Sequence, residues 1–166
     1  MIKEHDYTWR DFEIIDTHTH VFPAKVSVKA SDNIGRFYDL PAQHDGSCEE
    51  LLANGSQYNI DRYVICSVAT TPKQVKEINN FISAKQSEYD EFYGFGAMHP
   101  LMEGVGDEVE RIIELGLHGI KLHPDFQKFQ INDNRYLLGI VFILYLYVDS
   151  ANSKLFLFHK TKLHFR

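Results

Sequence analysis

The chain has 166 residues, 44% hydrophobic and 24% charged, with a formal net charge of −6. This profile fits one packed domain and excludes a disordered or fibrous chain. The acidic balance argues against a general electrostatic grip on nucleic acid. Two cysteines, Cys48 and Cys66, are too few for a disulfide framework and suit a reducing, cytoplasmic compartment.

In chain order, Met1 to Arg10 mixes acids and bases without an apolar core, so it is not read as a signal peptide. A first buried strand is expected over 12–20, around Ile14-Ile15. The stretch from Pro23 to Gly46 then reads as an unusually long loop, of the size that often serves as a functional lid. Ser47-Cys48-Glu49-Glu50 fits a capping box that opens a helix, which stops near Gly55. Arg62 to Val68, apolar on both faces, predicts a second strand of the kind found in helix-covered parallel sheets. Thr71-Pro72 reads as an N-cap and first helical residue, with Val75, Ile78, Phe81 and Ile82 on one face of the helix that follows. Phe92 to Met98 predicts a third strand. Val109, Ile112, Ile113 and Leu115 predict a third helix closed by Gly116, and Gly119 to Leu122 a fourth strand. Strand–helix alternation of this kind implies right-handed crossovers and a parallel α/β sheet.

The chemistry is concentrated in histidines at strand ends. His18 and His20 are two apart at the end of the first strand, so alternation puts both imidazoles on one face with Cα atoms ~6.6 Å apart. Two rings so placed can converge on one ion at ~2.0–2.1 Å per Zn–N bond. Asp16 shares that face by the same alternation, positioned to orient a ring or accept a proton. A bare His-x-His also fits an ordinary polar strand end; the buried strand and the acid before it favour a divalent metal, with zinc the expected ion. His99-Pro100 and His123-Pro124 end the third and fourth strands, and proline stops the ladder after each. His99 reads equally well as a capped strand end or as a functional group. Lys121 has the parity of His123, and a lysine on a barrel's inner face is costly unless partnered. A carbamylated Lys121 bridging two ions is the alternative to a mononuclear site. Cys48 and Cys66 read as small core residues.

Three motifs now bear on family: Ile-Ile-Asp-Thr-His-Thr-His-Val-Phe-Pro at 14–23, Gly-Phe-Gly-Ala-Met-His-Pro at 94–100, and Gly-Ile-Lys-Leu-His-Pro at 119–124. In that order they resemble the amidohydrolase superfamily, closest to the branch that includes aminocarboxymuconate-semialdehyde decarboxylase, over about residues 12–135. The resemblance implies a metal-dependent (β/α)8 barrel acting as a hydrolase or a non-oxidative decarboxylase on a small-molecule substrate. It makes His18 and His20 metal ligands; Lys121, His123 and Asp16, placed at the same rim by their strand positions, are the candidate catalytic residues. It further implies a strand-five histidine, for which His159 at the end of Leu155-Phe156-Leu157-Phe158-His159 is the candidate.

A closed barrel of this kind usually takes ~250 residues, so a partial barrel is expected, with the first four to five βα units in residues 1–135. Residues 136–166 read as an atypical tail, apolar from Tyr136 to Val148 and then basic, with Lys154, Lys160, Lys162 and Arg166 against Asp149. The 13-residue apolar run is shorter than the ~20 residues of a membrane-spanning helix, so no membrane partner is expected. The family's strand-six histidine and strand-eight aspartate have no counterpart, which reads as a truncated barrel that self-associates. The main functional expectation is a metal-dependent hydrolase of C–N or C–O bonds. The alternatives are a decarboxylase on the same scaffold, a metal-dependent deoxyribonuclease (disfavoured by Lys121 where those enzymes carry glutamate) and a non-catalytic remnant.

Overall fold

A single sheet of parallel strands in the order β1-β2-β3-β4-β5 organises the computed structural model, which describes residues 12–130 and 156–159. The strands are β1 (Ile15–Thr19), β2 (Arg62–Cys66), β3 (Phe92–Ala97), β4 (Gly119–Leu122) and β5 (Phe156–His159). Between them lie α1 (Ser27–Tyr38), α2 (Cys48–Ser56), a 3-10 turn at Pro72–Gln74 leading into α3 (Val75–Glu88), α4 (Val105–Glu114) and the single turn α5 (Pro124–Gln127). The chain is therefore a parallel α/β sheet of partial-barrel type, as expected. The readings of residues 1–10 and of the apolar run 136–148 lie outside the described residues, as does all of the proposed tail except 156–159. Among the described residues no helix is long and apolar enough to cross a membrane.

Local chemistry explains the elements. At α2 the Ser47 hydroxyl accepts from the Glu50 N–H at 3.2 Å, half of the expected capping box. The Glu50 carboxylate turns instead to the Asp45 N–H and His44, so it staples the preceding loop. At Thr71 the Gln74 side chain accepts from the N–H groups of both Thr70 and Thr71, at 2.8 and 3.0 Å. Helix α4 ends at Gly116, whose φ of 71° is a left-handed conformation that glycine adopts without a Cβ penalty. The expected loop at 23–46 holds a helix, α1, capped at its end by Asp39 with φ of 55°.

The core lies between the sheet and its helices. Tyr63, Ile65, Phe92, Ile120 and Leu122 from the strands meet Cys48, Val75, Ile82, Val109 and Ile112 from α2, α3 and α4. Close approach is built into β3: a Cβ on Gly94 would stand 2.7 Å from Ile82 and Leu117, and one on Gly96 2.8 Å from Ile112. A buried polar brace joins these layers. Asn79 accepts from the Ala97 N–H at 2.6 Å and donates to Ala97 O at 3.1 Å and to Glu108 at 2.7 Å. Arg111 neutralises that buried carboxylate at 2.7 Å. Val64, Cys66 and Phe95 form a separate apolar cluster on the other side of the sheet. Ile120 thus belongs to the helix-covered core, and it is its neighbour Lys121 that points to the inner face, as strand alternation requires.

The sheet curls. Strands β1 and β4 are three places apart, which in a flat sheet is ~14 Å. Yet Lys121 Nζ on β4 lies 3.2 Å from His18 Nε2 on β1. Only a sheet rolled about its inner face brings those two side chains together.

Candidate metal centre

The inner face ends in a polar rim at the C-terminal ends of the strands. His18 and His20 project from β1 and its exit with ring centroids 5.1 Å apart and planes inclined at 61°. The Nδ1 of His20 lies 2.7 Å from Cys66 O; a carbonyl only accepts, so Nδ1 carries the proton and the lone pair is left on Nε2. That is the tautomer a metal-ligating imidazole needs, with its orientation fixed by an outer hydrogen bond. Burial first, and the neighbouring His18 second, push the His20 pKa down to about 4, so the ring is neutral at pH 7. The ammonium of Lys121, itself buried, donates to His18 Nε2.

Cys66 completes the group. It ends β2, is buried, and its Sγ lies 3.5 Å from Thr19 O, between the two histidines in sequence. Burial pushes its thiol up to about 11, against the opposing influence of Lys121. One ligand atom each from His18, His20 and Cys66 lie within 4.8 Å of one another. Two imidazoles and a sulfur on strand ends, with an ordered outer hydrogen bond, fit a divalent ion, which would take over the His18 Nε2 lone pair from Lys121. Cys66 was not expected here. Its position at the end of the strand next to β1, with the parity of Val64, was the available signal.

The remaining candidates divide. His123 is buried; its Nδ1 accepts from the Phe126 N–H at 3.4 Å, leaving Nε2 to donate to Tyr38 Oη at 2.9 Å. The end of α1 is anchored there, Phe37 stacking on Phe126 with centroids 4.1 Å apart. Asp16 is not placed as expected. The β1–β2 register shifts between Asp16 and Thr19, whose partners are Tyr63 and Ile65, so β1 carries one extra residue. That bulge breaks the alternation. Asp16 is level with the core residue Tyr63, and its carboxylate accepts from the His18 backbone N–H at 3.1 Å. His159 ends β5 as the register partner of Leu122. His99 is buried, accepts from the Leu101 N–H at 3.2 Å, and is hydrogen-bonded to the Thr70 backbone, as a capped strand end should be.

One positioning residue went unread in the sequence. Gln127, buried in α5, donates to Ala69 O at 2.8 Å and Met98 O at 2.7 Å and accepts from the His123 N–H at 2.9 Å. One amide therefore ties the ends of β2, β3 and β4 into a single rim.

No protein-family model matches the chain, and no curated protein matches it. Solved structures do. The IDCase of Metarhizium anisopliae in its apo form aligns with a TM-score of 0.59 at 14% identity, over 87% of this chain and 50% of that one. The fold is shared. The chain spans about half the length of this structural neighbour.

Proposed function

We propose that the chain carries the β1–β4 portion of a metal-dependent hydrolase site of the amidohydrolase type, acting on C–N or C–O bonds of a small molecule. The convergence of His18 and His20 with a third donor on the curled inner face carries this reading. A divalent ion held there, zinc by its donor set, supplies a water acidified to a pKa of ~7 or a polarised carbonyl. Lys121 offers a buried positive charge beside His18, suited to a substrate carboxylate or a developing oxyanion. His123, with its Nε2 proton directed at Tyr38, holds the rim and the end of α1 in register. Asp16, turned to the backbone, is given no part in proton transfer.

A second reading has one observation in its favour. It is a decarboxylase on the same scaffold, since the same inner face, with Lys121 buried beside His18, would suit a substrate carboxylate. The test is a turnover assay of the zinc-loaded chain on simple amides, lactones and aromatic carboxylates. Slow hydrolysis that depends on zinc and on His18 and His20, without release of carbon dioxide, is expected. Carbon dioxide release would replace the hydrolase with the decarboxylase, and no metal-dependent turnover of any substrate would overturn both.

A further inference from the structure

We propose that Cys66 is the third protein ligand of the ion held by His18 and His20, giving a His2Cys set that selects thiophilic Zn2+ or Co2+ over Mg2+ and Mn2+. The proposal rests on the metal-centre reading above and names the donor that decides which ion occupies it. Three features of the structure support it. Cys66 is at the C-terminal end of β2, level with the exit of β1, and its Sγ lies 3.5 Å from the carbonyl of Thr19, the residue between the two histidines. Its ligand atom lies within 4.8 Å of those of both rings. Tetrahedral coordination at ~2.0–2.1 Å for Zn–N and ~2.3 Å for Zn–S sets neighbouring donors about 3.3–3.6 Å apart, so donors within 4.8 Å of one another close by about 1.5 Å at most. Finally, the same residue orients His20, because the backbone carbonyl of Cys66 accepts from His20 Nδ1 at 2.7 Å.

The chemistry follows from the donor set. A thiolate is a soft ligand and is passed over by Mg2+ and Mn2+, which take carboxylate, carbonyl and water oxygens. Three protein ligands leave one tetrahedral position open for water, the arrangement of a catalytic rather than a structural zinc site.

Cobalt is the probe. The full-length chain, stripped with a chelator and titrated with Co2+, should show a near-ultraviolet sulfur-to-cobalt charge-transfer band that saturates at one ion per chain. Cys66→Ala should abolish the band and weaken Co2+ binding by about 100-fold or more, beyond the 10–100-fold typical of losing an outer partner. Cys48→Ala should keep it, since Cys48 is in the helix-covered core. Zinc-edge X-ray absorption of the unmodified chain needs no variant to fold, and should show one sulfur at ~2.3 Å besides nitrogen. Co2+ binding with ligand-field bands but no charge transfer, or a nitrogen- and oxygen-only zinc shell, would overturn the role of Cys66 and leave the histidine site standing. No Co2+ binding at all would overturn both.

Discussion

Replacing Gln127 by leucine should cost a large share of the domain's stability, although the residue touches no substrate. Its amide makes three hydrogen bonds, to Ala69 O, Met98 O and the His123 N–H. Ala69 and Met98 are fully buried and His123 is 3% exposed, so water does not replace the lost partner. Leucine fills most of the volume, which separates the polar loss from a cavity effect. Each buried group left unsatisfied costs ~1–3 kcal/mol. With the three groups adjacent and therefore non-additive, a loss of about 4 kcal/mol is expected, against a typical domain stability of ~5–15 kcal/mol. Urea unfolding reads this as a fall in midpoint at unchanged slope. Because the same amide aligns the ends of β2, β3 and β4, zinc affinity should fall in the same variant. A stability change below about 1 kcal/mol would refute the argument that this rim is held by one side chain.

Three further outcomes follow from the site. Metal-free chain should lose stability as the pH falls from 6.5 to 4: His20 stays neutral in the fold down to about 4, while its unfolded counterpart takes a proton near 6.5. The unfolded state then binds more protons, which removes about 3 kcal/mol across that window; burial lowers His99 and His118 in the same sense. A flat stability profile over that range would contradict this. Lys121→Met should leave metal content at one ion per chain and bicarbonate should not raise it in the unmodified protein, because Lys121 bonds His18 as an ammonium; a halved metal content would instead support a carbamate bridging two ions. Self-association is expected because β1 pairs only with β2 among the described residues, leaving a strand edge open; light scattering should give a mass above the 19.3 kDa of one chain, and a monodisperse monomer would contradict it.

Much of the fold was legible because its signals are local. The strand at Gly119–Leu122 coincides with its apolar run, and α2, α3 and α4 were marked by Ser47, Thr71-Pro72 and Gly116. Helix α1 carries no such marks. Its N-cap is Val26, with no side-chain cap, and the left-handed residue at its end is Asp39 where glycine would have been the signal. Val28 and Phe37, two of its large apolar residues, are exposed. Within the site, His18, His20 and Lys121 were readable from strand parity, and the curl of the sheet brings them together. Parity misled at Asp16, because a bulge is a pairing property that one strand's sequence does not show. Cys66 and Gln127 were hidden for a similar reason: each matters through partners 46 or more and 29 or more residues away, respectively, except for Gln127's bond to His123.

The metal content of the chain tests the central claim most directly. Protein purified without chelator and dialysed against trace zinc should hold about one zinc ion per chain by elemental analysis, since the three ligand atoms lie within 4.8 Å of one another. The double variant His18→Ala, His20→Ala, checked for folding by circular dichroism, should hold none. Equal zinc in both proteins, or none in the unmodified chain, would contradict a metal centre at His18 and His20.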